Sequence, residues 1–501
     1  MLSKPSPKLL TKSRFVTGLN CPKALWLAFN RPEELPKVDE ATQHRFDEGH
    51  KVGELAKSLF PEGIEVEEVI PIENDKVSRT LLTKRKPLFE AGFIHENGKC
   101  YARADILLPT GKKEWDILEV KSATSVKEDY IWDVAFQKYC YESAGLKVKN
   151  CFVMHINNQY VRQGEINAGE FFVRADVTEE VNAVMKEVPI KIKELFKIIE
   201  SEKCPEFKNG EDYHEDDYGV HKTDGIWKEH PESDIFDLYR GGKKAIELFN
   251  AGVLYIKDIP HDHKLNDKQK IQHTTHTNGK HHLNGDELKN FIKSLTYPLH
   301  FLDFESYNTA IPFYNGLKPY QAIPFQYSLF IIEKKGAKPE RCSFIAEGSS
   351  DPRPTFIQSL KESIKPKGSI VVYNQSFEQG RLKEIAGFLP LHKKWVDNTI
   401  ERMVDLLIPF REFAYYHPKQ NGSASLKYVL PALTGVTYED FEIANGSQAS
   451  LAYLFVTHGS YGGVKATKEE IQKVRADLEE YCGQDTEGMI WILEKLKNLI
   501  K

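Results

Sequence analysis

Two charged pairs, each split by a single apolar residue and set in a run of strand length, constrain this chain more than any other feature. Glu119-Val120-Lys121 closes the run that begins at Trp115, and Asp303-Phe304-Glu305 follows Leu299-His-Phe-Leu. Side chains alternate across a strand, so each pair projects from one face. The first pair has a neighbour. Tyr101-Ala-Arg-Ala-Asp105 reads as a strand ending on a carboxylate and Pro109-Thr-Gly111 as a hairpin turn, so Asp105 on the adjacent strand closes a triangle with Glu119 and Lys121. Two carboxylates and a lysine form a small site for a divalent metal, a water and a phosphate. Oxygen ligands suit Mg²⁺ or Mn²⁺, and the ammonium orients the attacking water or neutralises charge on the phosphorane. The pattern taken alone also fits a solvated edge with a surface ion pair.

A chain of 501 residues exceeds one ordinary core, so two or three domains are expected. Hydrophobic residues at 41% suffice for folded domains, and no apolar run approaches the roughly 20 residues of a bilayer span. No membrane association is expected, and without the apolar core of a secretory signal the expected compartment is the cytoplasm. Seven scattered cysteines without a C-x-x-C pair argue against a disulfide framework. The net charge of −5 argues against an indiscriminate polyanion binder but leaves room for local basic surface that binds phosphate.

Along the N-terminal half, Cys21-Pro-Lys-Ala-Leu-Trp26-Leu reads as a helix start with Pro22 in the first turn and Leu25, Trp26 and Phe29 in the core. Arg45 to Phe60 is helical by pattern, with Phe46, Val52, Leu55 and Leu59 on or near one face and His50 in mid-helix. Asp129 to Ala144 is a further helix on which Gln137 and Tyr141 share a face, and Asn150 to Ile156 is a strand.

The order Cys21-Pro-Lys-x-Leu-Trp-Leu, Gly49-His50, Glu90, Arg-Ala-Asp105, Glu119-x-Lys121 and Gln137-x-x-x-Tyr141 resembles the RecB-like branch of the PD-(D/E)XK nucleases, and within it the CRISPR-associated RecB-like exonucleases. The resemblance covers roughly residues 10–205. It implies a restriction-endonuclease-like fold in which His50, Asp105 and Glu119 ligate metal with help from the Val120 carbonyl. It further implies that Lys121 is catalytic and that Gln137 and Tyr141 line the DNA-facing side. Relatives with this N-terminal cysteine hold an iron–sulfur cluster through three later cysteines. Here only Cys204 stands in about the right place, two thiolates do not satisfy a four-thiolate cluster, and none is expected.

In the middle, Pro189 to Lys203 reads as a lysine-rich helix and Glu211 to Asp217 as an acidic surface loop. Ile235 to Pro260 has a helix, a glycine turn and a second apolar stretch, as in a helix-hairpin-helix element or a plain helical connector. His261 to His282, with six histidines, reads as exposed linker.

Leu299 to Ser306 opens a second domain. Phe325 to Glu333 and Cys342 to Glu347 read as further strands, Thr355 to Ile364 as a helix and Gly368 to Asn374 as a buried strand leading into the helix that carries Glu378. Near the C-terminus, Tyr481 and Asp485 are one helical turn apart. Four separated carboxylates are what a two-metal site requires. Asp303-Phe-Glu305, Asn374-x-x-Phe377-Glu378 and Tyr481-x-x-x-Asp485 resemble the three motifs of the DnaQ-like, RNase H-fold DEDD 3′–5′ exonucleases, with Glu378 replacing the usual aspartate. By that resemblance Asp303, Glu305, Glu378 and Asp485 bind Mg²⁺ or Mn²⁺ and Tyr481 orients the water. Asn374 and Lys427 are the expected nucleic-acid contacts.

The whole chain resembles an uncharacterised bacterial family that fuses these two nuclease types. The expected organisation is an α/β multidomain protein: a PD-(D/E)XK domain over 1–205, a helical connector over 206–295 and an RNase H-like mixed-sheet domain over 296–501. The expected activity is metal-dependent hydrolysis of DNA, at single strands or ends, in repair or defence. The alternatives are a nucleic-acid-binding scaffold with one or both sites inactive, and an RNA-processing exonuclease.

Overall fold

The computed structural model describes residues 9–206, 234–438, 441–460 and 462–501. It is a mixed α/β structure with two mixed sheets, of seven and five strands, and it divides into two compact units. Unit 1 holds residues 9–206 together with Thr309–Tyr320. Unit 2 holds the described residues of 234–308 and 321–501, so residues 234–295 of the expected connector are grouped with the C-terminal sheet. The acidic stretch Glu211 to Asp217 lies outside the described residues.

Unit 1 runs β1 (Leu10–Thr11), α1 (Lys12–Asn20), α2 (Pro22–Asn30), α3 (Glu40–Lys57), β2 (Ile64–Glu65), α4 (Pro71–Leu81), β3 (Leu88–Ile94), β4 (Cys100–Thr110) and β5 (Glu114–Lys121). It continues α5 (Glu128–Ser143), β6 (Lys147–Ile156), α6 (Ala168–Phe171), β7 (Phe172–Asp176), α7 (Thr178–Val184) and α8 (Val188–Ile199). A hairpin joins β4 to β5, but its turn lies later than the expected Pro109 to Gly111: Pro109 and Thr110 still pair with Trp115 and Glu114, and the turn begins at Gly111, whose φ of 51° is a left-handed position that favours glycine. β5 then pairs in parallel with β6 through α5, whose Val134, Phe136, Cys140 and Tyr141 are buried in the main core. Burying one such large apolar side chain contributes about 1.5–3 kcal/mol.

β1 pairs in parallel with β4 at Leu10–Cys100 and Thr11–Tyr101. β3 occupies one edge of β4, and β5 occupies the other only from Ile106 onward, so β1 takes the part of that edge which β5 leaves. Lys12 follows immediately and is thereby delivered to the point where Asp105 and the end of β5 meet. Cys21 caps α2, its sulfur accepting from the Ala24 N–H, and shares a small apolar cluster with Trp26, Leu27 and Cys204. On α3 the buried face runs through Glu48, Val52 and Ala56, one turn apart, so Phe46, expected on that face, is instead exposed.

Thr309–Tyr320, the segment between the first two strands of the second sheet, is held within unit 1 by polar contacts. The Glu48 carboxylate accepts from the Ala310 N–H at 2.7 Å, and the Arg162 guanidinium donates to the Pro312 and Phe313 carbonyls at 2.7 and 2.8 Å. The Tyr320 hydroxyl donates to the carbonyl of Ser122, the residue after Lys121.

Unit 2 opens with α9 (Lys243–Asn250) and α10 (Asp267–Asn278). β8 (His282–Leu283), α11 (Gly285–Lys293), β9 (Leu299–Tyr307), β10 (Ile323–Ile332), β11 (Glu340–Ile345), α12 (Arg353–Ser363), β12 (Ile370–Val372) and α13 (Ser376–Phe388) follow. It ends with α14 (Lys393–Glu401), β13 (Met403–Asp405), α15 (Ile408–Arg411), β14 (Tyr415–Tyr416), α16 (Leu426–Thr434), α17 (Gly446–His458) and α18 (Lys468–Leu499). The sheet order is β11-β10-β9-β12-β13, antiparallel through the first three strands and parallel through the last three. Leu302 and Phe304 of β9 face a core built with Phe356, Ile357 and Leu360 of α12. Asp303 and Glu305 therefore point to the opposite face, where α18 lies: Cys482 of that helix approaches Asp303, and the Leu478 carbonyl accepts from Gln326 of β10.

The histidine-rich stretch corrects the expectation of an exposed linker. Asn266 and Gln269 form a capping box that starts α10, and His273 is buried. Its inward face is polar, with Gln269, Gln272 and Thr275 hydrogen-bonded and the His273 Nε2 buried without a partner. Gln272 accepts from the Tyr239 N–H and donates to the Asp237 carbonyl, both at 2.8 Å, so there is no apolar stripe for periodicity to reveal. No helix among the described residues is long and apolar enough to cross a membrane.

Candidate active sites

In unit 1 the β4–β5 hairpin brings Asp105 beside the end of β5, where its carboxylate accepts from the Val120 N–H at 2.7 Å. Glu119 is 1% exposed and heavily contacted. Lys12 Nζ lies 2.7 and 2.9 Å from its two oxygens, Lys121 Nζ lies 2.7 Å from Oε1, and Gln137 donates to Oε2 at 2.7 Å. Lys12 also reaches Asp105, at 3.5 Å. Asp133, one turn before Gln137 on α5, accepts from both Lys121 and Gln137, at 2.7 and 2.9 Å. Burial works to lower both ammonium groups. The surrounding carboxylates win, and Lys12 and Lys121 are held above the ordinary lysine range. Glu90 stands on β3 at the register position skipped opposite Asp105, with φ 56°, a backbone region sparsely used by residues other than glycine. Burial and then Asp105 raise its carboxyl.

Asp105, Glu119, Lys121 and Gln137 thus come together. His50 does not gather with Asp105 and Glu119 into a group of ligand atoms within 4.8 Å; it is exposed on α3, from which Glu48 points inward. The expectation that Gln137 and Tyr141 line a DNA-facing surface is corrected. Both are fully buried, Gln137 beneath Glu119. The Tyr141 hydroxyl donates to the Ala91 carbonyl and accepts from the Ala104 N–H at 2.8 Å, which ties β3 to β4.

In unit 2, β9 supplies Asp303 and Glu305, α13 supplies Glu378, and α18 supplies Tyr481, Cys482 and Asp485. Ligand atoms of Asp303, Glu305 and Cys482 lie within 4.8 Å of one another, and the Cys482 sulfur is 3.6 Å from Asp303 Oδ2. All four carboxyls are raised. Burial is the largest cause for each; Asp303 is raised further by Asp485, Glu305 by Asp303 and Asp485, and Glu378 by Asp303. Glu378 is 1% exposed, and its Oε2 is buried without a hydrogen-bond partner. One Asp485 oxygen accepts from the Tyr438 hydroxyl. Lys427, on α16, donates to the Ala444 carbonyl at 2.5 Å and lies 5.3 Å from the Tyr481 ring centroid. Burial lowers its ammonium against the pull of Asp485 and Glu305.

Asn374 does structural work at the turn before α13. It sits at φ 73°, its N–H donates to Asp405 at 2.9 Å, and its carbonyl accepts from the Phe377 N–H at 3.0 Å, which sets the start of the helix bearing Glu378. The donor chemistry of this group fits a hard divalent cation, because oxygen ligands predominate and a buried carboxylate oxygen is left over.

Sequence reasoning missed Lys12, Asp133, Tyr438 and Cys482 as members of these groups. The i, i+4 spacing of Asp133 and Gln137 was available, as was the place of Cys482 one turn before Thr486 on the face shared with Asp485. Nothing local marks Lys12 or Tyr438.

Residues 300–425 match the profile of a domain of unknown function, DUF2779, a stretch that contains Asp303, Glu305, Asn374 and Glu378 and ends before Lys427, Tyr481 and Asp485. Among curated proteins, the uncharacterized protein MG366 of Mycoplasma genitalium is 26% identical over 236 residues, which are 43% of this chain and 34% of that protein. The uncharacterized protein UU173 of Ureaplasma parvum is 26% identical over 220 residues, 40% of this chain and 31% of that protein. The Mycoplasma pneumoniae homolog of MG366 is 23% identical over 237 residues, 43% of this chain and 34% of its own length. The chain therefore spans about a third of the length of these curated relatives.

Proposed function

We propose that this chain is a metal-dependent nuclease that hydrolyses phosphodiester bonds of DNA, with an RNase H-like DEDD centre in unit 2 and a PD-(D/E)XK centre in unit 1. The observation that carries this reading is the convergence of the half-buried Asp303 with the buried Glu305, Glu378 and Asp485, from three elements remote in sequence, into one group of raised carboxyls. Such a group opposes folding unless cations offset it. Mg²⁺ or Mn²⁺ bound there would polarise a phosphate oxygen and acidify a water. The four carboxylates would hold the ions and Tyr481, one turn from Asp485, would orient the water. Lys427, at the rim of the group, would meet the phosphate.

The test is degradation of end-labelled single- and double-stranded DNA and RNA with Mg²⁺, Mn²⁺ or EDTA, by the unaltered chain, Asp303→Asn, and Glu119→Gln with Lys121→Ala. Metal-dependent cleavage lost in Asp303→Asn supports the unit 2 centre. A well-folded protein that binds these nucleic acids yet cleaves none of them overturns the reading in favour of a binding scaffold, and cleavage confined to RNA replaces DNA by RNA as substrate.

A further inference from the structure

The unit 1 group does not fit a metal ion in its present arrangement. Every hydrogen-bonding direction on Glu119 that faces the site is taken by Lys12, Lys121 or Gln137, and Asp105 spends one oxygen on the Val120 N–H and turns the other toward Lys12. The ammonium of Lys12 stands between the two carboxylates that the resemblance assigns to metal. It is brought there by the β1–β4 pairing and not by any residue near it in sequence.

We propose that Lys12 is the built-in cation of the unit 1 site, and that a divalent metal reaches Asp105 and Glu119 only by displacing its still-charged ammonium. This rests on the metal-site reading given above for Asp105 and Glu119. Two cations cannot share one position. The contest is therefore decided by electrostatics and depends strongly on removing the competitor. Lys121 cannot play the same part. Its ammonium bridges Glu119 and Asp133, at 2.7 Å from each, whereas Lys12 bridges Glu119 and Asp105. Lys12 is therefore a positioning residue: it sets how much metal the site demands before it is occupied.

The experiment is calorimetric titration of Mn²⁺ into the full chain carrying Asp303→Asn and Glu305→Gln, which disable the unit 2 group, with Lys12 intact, Lys12→Met or Lys12→Arg. Thermal melts establish that each variant is folded. Glu119 keeps Lys121 and Gln137 as partners when Lys12 is replaced, so the fold has support. The same comparison in the chain with an intact unit 2 group, fitted to two classes of site, serves if the disabled background does not fold. Lys12→Met should bind Mn²⁺ at least about tenfold more tightly than the parent, and Lys12→Arg no more tightly. Equal or weaker binding by Lys12→Met overturns the proposal while leaving the metal reading of unit 1 in place. Absence of binding in all three overturns that metal reading and the proposal together.

Discussion

The two carboxylate groups solve the same electrostatic problem in opposite ways. Around Asp105 and Glu119 the chain brings its own positive charge: Lys12 and Lys121 are held raised, and Glu119 needs nothing more from outside. Around Asp303, Glu305, Glu378 and Asp485, Lys427 sits at the rim and Arg381 acts on Glu378, yet the carboxyls are themselves raised and one Glu378 oxygen has no partner. A buried charge is tolerated when paired and otherwise takes up a proton or recruits an ion. The first group is electrically closed and the second open, so their response to metal and to pH should differ.

The largest expected difference is in turnover. Asp303→Asn should reduce metal-dependent hydrolysis by at least the roughly 100-fold that loss of a supporting partner costs a metal site. Glu119→Gln should spare that component, as product-release assays on each variant would read. A drop of the same size from both variants would break the comparison.

Next is the pH dependence of stability in EDTA. Raised carboxyls mean that the folded protein binds more protons than the unfolded chain, so the unit 2 group contributes stability that is full below about pH 4 and is lost as pH climbs through the raised folded values. Lys12 and Lys121 contribute stability present below about pH 10.4 and lost only above it, so these two lysines add no slope across neutrality. Thermal melts from pH 5 to 9 should therefore show a fall in Tm that Glu305→Gln reduces, that Mg²⁺ or Mn²⁺ reverses, and that Lys12→Met leaves in place. An equal flattening by Lys12→Met would contradict the contrast.

Asp133→Asn sharpens the comparison on the closed side. Lys121 loses one of its two carboxylates, and cleavage assigned to unit 1 should fall about 10- to 100-fold, measured in the Glu305→Gln background. The smallest effect separates scaffold from site. Tyr141→Phe removes the hydroxyl that joins β3 to β4 and should cost about 1–3 kcal/mol in urea unfolding with no change in affinity for single-stranded DNA.

What the sequence made legible was local. The hairpin between β4 and β5, the common face of Glu119 and Lys121, the opposite face taken by Asp303 and Glu305 against Phe304, and the helices carrying Gln137 and Asp485 all follow from periods of two or of 3.6 residues. What stayed hidden was long-range or polar. Lys12 enters its site through two residues of parallel pairing with β4, Tyr438 reaches Asp485 from the segment after α16, and α10 buries glutamines and a histidine. None of these leaves a periodic mark. Tyr141 was legible as a helix-face partner of Gln137 but not as a strut, because the backbone groups it binds lie on two other strands.

The segment Thr309–Tyr320 carries a consequence for how this polypeptide can be divided and inherited. It leaves β9 just beyond Glu305 and returns to β10, yet its partners are Glu48, Arg162 and the Ser122 carbonyl. A single scission near residue 206 would leave the N-terminal piece without the backbone donors and acceptors that Glu48 and Arg162 engage, and the C-terminal piece with a loop stripped of its partners. The two halves are interlaced along the gene, so neither can be exchanged for a foreign counterpart as one uninterrupted block.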